Sequence, residues 1–431
     1  MQKHNKIFTN AAWIIACRIV QSLLAMVINM LTARYLGPSN YGIINYAASL
    51  VAFVEPFTLL GLNSILVQEL LERPAREGET LGTSIVMSMI SSVLCICGMS
   101  AFARVTNAGE TETIIVCVLY STILFFKALE LIQYWYQAKL LSKYPSVVML
   151  CAYLVISLYR IILLVNRKSI YWFSVVNAFD ALLIATALLV LYYKLGGQRL
   201  RFSASRAKQL LSKSRYFIVS TLMISIFSQT DKVMLKLMIG EAETGYYSAA
   251  IACALISNFV FTAIFDSARP SILSSKKADQ TSFELNVTRL YSVIIFLSVV
   301  QSVFIGIFAK PFIHILYGTQ FDQAVDVLRV LVWYTVFSYA GMVRSIWILA
   351  EGIHRYLWVI NLSGALMNIL LNVLLIPHFG AVGAAAASIL TQFFTNIVLG
   401  YLIAPLYRNN QLMLRSLHPR HLFDLYRTIR K

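Results

Sequence analysis

The apolar residues of this chain gather into runs of about 20, the length that carries an α-helix through a hydrocarbon layer about 30 Å thick. Such runs lie at about 11 to 33, 41 to 62, 81 to 103, 113 to 136, 146 to 166 and 170 to 193. Six more follow at about 216 to 239, 245 to 267, 290 to 309, 325 to 349, 355 to 376 and 381 to 405. With 59 % of its 431 residues apolar and 13 % charged, a water-soluble fold is excluded. No polar stretch exceeds about 25 residues, so there is no room for a soluble catalytic domain. Helices are expected because backbone groups in lipid must bond within their own segment, and the runs are too long for barrel strands. The predicted fold class is therefore all-α, a polytopic membrane protein of about 12 transmembrane helices in two pseudo-symmetric six-helix lobes. The first run follows Lys3 and Lys6 as a secretory leader would, but Arg18 sits inside it and no small-x-small cleavage site follows, so it reads as a retained helix.

A net charge of +17 would suit a nucleic-acid binder if the basic residues shared one soluble face. Instead they fill the gaps between apolar runs. Sorting the gaps by side places 24 Lys and Arg on one side and five on the other, with seven inside segments. That asymmetry predicts both termini in the cytoplasm and a multi-pass protein of the bacterial cytoplasmic (inner) membrane, with membrane lipid and not nucleic acid around it. The longest basic connection divides the helices evenly. The expected organisation is an N-terminal six-helix lobe (1–195), a basic cytoplasmic connector (196–215), a C-terminal six-helix lobe (216–405) and a basic cytoplasmic tail (406–431). A shift of 203 residues superposes Gly37, Gly42 and Ala47 on Gly240, Gly245 and Ala250, which fits either a duplication or the common use of Gly at helix turns.

Ionisable side chains inside the runs are the candidate functional residues, since each costs about 2.5 to 3.5 kcal/mol at mid-depth and must face protein, water or a ligand. Arg18, Lys127 and Asp180 fall near mid-depth, Glu55 and Arg344 in the cytoplasmic half, and Arg160 and Asp231 in the outer half. Arg18 and Arg344 have no carboxylate three or four residues away, and a guanidinium stays charged and offers a planar fork suited to phosphate. Arg18, Arg344, Lys127 and Arg160 are thus the candidates for an anionic head group in a water-filled chamber between the halves. Glu55, Glu130, Asp180 and Asp231 are candidates for ion coupling or for charge partners. Lys127 and Glu130 can pair along one helix, Asp231 can pair with Lys232, and Glu55, before the kink-forming Pro56, can serve Arg18. Aromatic residues at segment ends, including Tyr134, Trp135, Tyr136, Trp172, Tyr192 and Tyr193, are expected in interfacial belts. No nucleophile elbow, phosphate loop or zinc-protease motif is present, and the six cysteines lack metal-ligand spacing. The chain is expected to be no enzyme and to need neither cofactor nor metal.

Three stretches carry a resemblance. These are Ala33-Arg34-Tyr35-Leu36-Gly37-Pro38-Ser39-Asn40-Tyr41-Gly42; Asp231-Lys232 followed by Gly240 and Gly245 to Ala250; and Asn368 to Asn372 leading to Ile376-Pro377, Gly380, Gly383, Ala384 and Ala385. Together they resemble bacterial polysaccharide-unit flippases of the Wzx type, in the superfamily that includes multidrug and toxin extruders. The resemblance implies two six-helix lobes around a cationic cavity. It also implies transport of undecaprenyl-pyrophosphate-linked oligosaccharide from the cytoplasmic to the outer leaflet by alternating access, with polysaccharide polymerase and chain-length machinery as further partners. Cavity arginines of the type and depth of Arg18 and Arg344 fit that family. Two alternatives stay open: an ion-coupled multidrug or organic-cation antiporter on the same fold, and a membrane-embedded glycosyltransferase or polymerase.

Overall fold

A computed structural model describes the backbone of residues 2–417 and the side chains of residues 20–22 and 24–417. Among the described residues the regular structure is helical, with no strand. Among the described residues eight helices are long and apolar enough to cross a membrane, or nine if Glu241–Ala254 and Asn258–Ala278, bent by 45°, form one span. The helix Gln2–Thr58 carries the first two apolar runs on either side of Gly37, where φ 74° and ψ 173° break the ladder. Gly380 (φ 55°) divides Leu357–Phe393 in the same way. Each of the twelve runs thus lies on helix, six between Gln2 and Lys194 and six between Ala204 and Leu402.

The polarity of the helices is that of a membrane protein. In Glu77–Thr106, Thr80, Ser84, Ser88 and Ser92 recur every fourth residue and are fully buried, while Ile90, Val93 and Leu94 face outward. Small side chains let neighbouring backbones approach, and the apolar ones are left for lipid.

The chain forms two compact units, Met1–Gln229 and Thr230–Lys431, so most of the helix Ala204–Met238 belongs with the first. The first core gathers Leu62, Leu66, Leu81, Trp135, Tyr192 and Leu210. Trp135 meets the edges of Tyr136 and Tyr192 at 5.1 and 4.9 Å. Three of the aromatics expected in interfacial belts are therefore core: Trp135, Tyr136 and Tyr192 are buried, whereas Trp172 and Tyr193 are exposed. Helix ends here pack on one another, and burial of a ring outweighs its preference for the interface. The second core stacks Phe261 on Tyr339 and Phe283 on Trp347.

Within the first unit, the polar stretch after Lys194 is laid along the start of Glu77–Thr106. Arg201 donates its backbone N–H to the Gly78 carbonyl at 3.1 Å, Gln198 accepts from the Gly78 N–H, and the Ser203 N–H reaches Thr83 Oγ1. Gly78 and Gly82 make this possible: a Cβ would stand 2.5 Å from the Arg199 carbonyl oxygen at the first and 2.5 Å from the Arg201 nitrogen at the second. Beyond this seam, Glu69 is buried and accepts from Arg206 at 2.6 Å and Lys213 at 2.5 Å. Burial alone would raise its carboxyl, but the hydrogen bonds and charges of Lys213 and Arg206 outweigh that and hold it below the usual range.

Candidate functional site

In the first unit the helix that carries Pro56 presents Glu55 to Lys127 at 2.6 Å, both about a third exposed. The carboxylate offered by sequence to Arg18 thus meets Lys127, and Lys127 takes Glu55 in place of Glu130, its neighbour along the chain. Glu130 and Asp180 form no ion pair among the described residues, and Asp180 Oδ1 is buried without a hydrogen bond. The side chain of Arg18 lies outside the described residues.

Arg160, on Lys143–Val165, reaches two amides: Nη1 donates to Asn29 Oδ1 at 3.3 Å and Nη2 to Asn177 Oδ1 at 2.6 Å. Asn177 in turn donates to the Tyr120 hydroxyl at 2.8 Å. No carboxylate pairs with Arg160 among the described residues. These groups line a cavity of about 330 Å³ that also takes in Asn45, Tyr153 and Phe173. It lies next to the Gly37 break, where Tyr35 bonds the Lys168 carbonyl, on the side expected to face outward.

In the second unit Asp231 is buried and accepts four side-chain hydrogen bonds. Asn368 and Asn372 supply Oδ1 at 2.9 and 2.7 Å, and Tyr247 and Ser388 supply Oδ2 at 2.5 and 2.6 Å. No cation pairs with it among the described residues, Lys232, adjacent in sequence, included. The local sequence explains the convergence. Asn368 and Asn372 are four apart on one helical face. Ser388 follows the Gly380 break on a turn of fully buried Ala384, Ala385 and Ala387 that admits close approach. The Gly380 break itself is held by Glu243, which accepts the Ala381 N–H at 2.6 Å. A buried carboxylate loses several kcal/mol of hydration, which charge-assisted bonds of about 1.5 to 3 kcal/mol each offset.

Arg344, also in the second unit, is buried. One terminal nitrogen donates to the Thr395 carbonyl, and its Nε has no partner. Thr395 lies in a π-helical turn, Phe394–Val398, a local widening of the helix that recurs at functional sites. No carboxylate pairs with Arg344 among the described residues. Within each unit the charged candidates are held by different neighbours: Lys127 by a carboxylate, Arg160 by amides, Asp231 by amides and hydroxyls, and Arg344 by a backbone carbonyl. The polar partners Asn29, Asn177, Tyr247 and Thr395, and Asn45 in the cavity wall, are not apparent from charge counting; an Asn inside an apolar run is the available signal.

A twelve-run helical membrane fold with isolated cationic and anionic side chains inside its helices is that of a solute or lipid-headgroup transporter. Residues 7–273 match the family model described as "Polysaccharide biosynthesis protein", and the chain belongs to that family. It is 21 % identical over 402 residues to the capsular polysaccharide biosynthesis protein CapF of Staphylococcus aureus, covering 89 % of this chain and 96 % of that one. It is 26 % identical over 201 residues to the "Probable low-salt glycan biosynthesis flippase Agl15" of Haloferax volcanii, an alignment covering 46 % of this chain and 42 % of that protein. In fold it is similar to the lipid II flippase MurJ in its inward closed conformation, with a TM-score of 0.72, 14 % identity and coverage of 96 % and 92 %. A multidrug resistance MATE family transporter in its inward-facing conformation gives a TM-score of 0.66 at 14 % identity, covering 92 % of this chain and 96 % of the other.

Proposed function

We propose that this protein is a flippase that moves undecaprenyl-pyrophosphate-linked oligosaccharide units from the cytoplasmic to the outer leaflet for surface polysaccharide assembly, without catalysing a reaction of its own. The observation that carries this reading, within the polysaccharide biosynthesis family, is a pair of guanidinium groups inside membrane-spanning helices, Arg160 and Arg344, that no described carboxylate neutralises. An anionic head group supplies the missing counter-charge. The organic-cation antiporter suits this pattern less well, because a cation would enter against both arginines.

In this reading the lobes are 1–195 and 216–405, joined by 196–215 and followed by the tail 406–431, with both termini in the cytoplasm of a bacterium. Arg18 and Arg344, with Lys127, attract the pyrophosphate, Arg160 meets an anionic part of the same head group, and the polyprenyl chain stays in lipid while alternating access carries the head group across. Release of Lys127 to the substrate requires opening of its pair with Glu55, and exposure of Arg344 requires movement at the π-turn. Asp231 is the coupling group: it holds a carboxylate among neutral donors, and each charge moved is worth about 2.3 kcal/mol per 100 mV of membrane potential. Glu55, Glu130 and Asp180 are the remaining coupling candidates, and polymerase and chain-length machinery are the partners that receive the product.

The test is deletion of the protein followed by location of the lipid-linked glycan. Accumulation on the inner leaflet is the expected result. Failure to synthesise the glycan would make the protein an enzyme, and normal surface polysaccharide would overturn the reading altogether.

A further inference from the structure

The cavity of the first unit has a chemistry that a pyrophosphate does not require. Its volume of about 330 Å³ is at the small end of ligand sites, enough for a single sugar ring. Its wall combines the amides Asn29, Asn45 and Asn177 with the rings of Tyr120, Tyr153 and Phe173 around Arg160. Amides both donate and accept, as vicinal sugar hydroxyls need, and aromatic faces cover the C–H face of a pyranose. A lipid chain would call for an apolar wall. An organic cation would call for an acid, yet no carboxylate among the described residues lines the cavity.

The bonds already present show which groups remain for a ligand. Asn177 gives its oxygen to Arg160 and an N–H to Tyr120, so it is a positioning residue that holds both. The Tyr120 oxygen accepts that bond and keeps its own proton to donate. Asn29 gives its oxygen to Arg160 and keeps its N–H groups. Arg160 uses two terminal nitrogens on neutral amides, which fix the fork without cancelling its charge. Asp180, one turn beyond Asn177, feels the field of Arg160 but stands outside ion-pair distance and does not line the cavity.

We infer that this cavity is a sugar subsite for an acidic pyranose, a hexuronic acid, with Arg160 on the carboxylate and Asn29, Asn45 and Tyr120 on ring hydroxyls. The source of the sugar rests on the flippase reading; the binding chemistry does not.

The test uses the full chain in lipid nanodiscs, with saturation-transfer NMR on methyl β-D-glucuronide, methyl β-D-glucoside and inorganic pyrophosphate. A charge-assisted pair predicts that the glucuronide binds about tenfold to a hundredfold more tightly than the glucoside. Arg160→Gln should abolish that preference, Arg160→Lys should keep part of it, and Asn45→Ala should weaken both glycosides alike. Ala48→Phe, which puts a ring into the cavity and keeps Arg160, should remove glucuronide binding even if Arg160→Gln fails to fold. Equal binding of the two glycosides, a preference that survives Arg160→Gln, or glucuronide binding that survives Ala48→Phe would overturn the inference. Displacement of glucuronide by lower concentrations of pyrophosphate would also overturn it, by making the cavity a head-phosphate site. None of these readouts needs transport. Their failure leaves inner-leaflet accumulation in the deletion strain intact, whereas normal polysaccharide in that strain, with glucuronide selectivity preserved, removes the flippase reading alone.

Discussion

Glu69→Ala separates a buried ion pair from an exposed one on the same short helix. Glu69 is 2 % exposed and accepts from Arg206 at 2.6 Å and Lys213 at 2.5 Å. Lys213 is half exposed, so losing its contact costs no more than about 1 kcal/mol. Arg206 is 5 % exposed, and after the substitution its charge is left with only Thr80 at 3.2 Å and Gln209 at 3.2 Å. Breaking one side of a buried pair costs about 3 to 5 kcal/mol, so the variant should lose that much in unfolding free energy. Reversible unfolding of the purified protein by SDS titration, followed by tryptophan fluorescence, measures the loss. Glu72→Ala is the control: Glu72 is 44 % exposed, stands 3.7 Å from the same lysine, and should change stability by less than about 1 kcal/mol. The pH dependence has a defined sign. The folded carboxyl lies below its ordinary 4.5, so its stabilisation is complete above pH 4.5 and fades as pH falls through the lowered value. The wild-type advantage over Glu69→Ala should shrink on acidification below that point. If Glu69→Ala costs no more than Glu72→Ala, the pair with Arg206 does not hold the connector to the first unit.

Gly82→Ala should force the connector backbone away, since its Cβ would stand 2.5 Å from the Arg201 nitrogen; a loss of about 1 to 3 kcal/mol and faster tryptic cutting after Arg199 or Arg201 are expected, with Gly98→Ala, in open space, as the neutral control. Asp231→Asn should preserve abundance while abolishing gradient-driven transport, whereas Asp231→Leu should also reduce abundance by stranding four donors, each at about 1 to 3 kcal/mol; transport at the normal rate by Asp231→Asn would remove Asp231 from coupling. Arg18→Ala and Arg344→Ala should each abolish surface glycan with membrane abundance retained, as read by immunoblot and lectin binding, and normal glycan would remove that residue from the head-group site.

Sequence periodicity was sufficient for the helices, because lipid leaves a long apolar run little alternative. The Gly37 and Gly240 correspondence also has a structural counterpart: both residues sit at positive φ with ψ near 180° between successive helices. Side-chain partners were less legible. Helical spacing reports neighbours three or four residues away, so it offered Glu130 to Lys127, but packing between helices supplied Glu55, 72 residues distant. The donors to Asp231 from Asn368 and Ser388 lie 137 and 157 residues on, and neither the family resemblance around Asn368 nor the polarity of Ser388 within an apolar run names Asp231 as the partner. Glu69 and Arg206 drew no notice because each stands in a polar stretch where a charge looks solvated. Burial there depends on how the connector folds back, which no local pattern encodes.

Connections between duplicated halves are the customary place to cut a transporter or to insert a tag. Here the segment from Gln198 to Arg206 occupies a groove prepared by two glycines, a threonine pair and a buried acid. A gene split at residue 196 would express a first fragment whose seat stands vacant and a second that trails an unhoused strap. Dividing the chain beyond Lys213 would let the first fragment keep its own fastening.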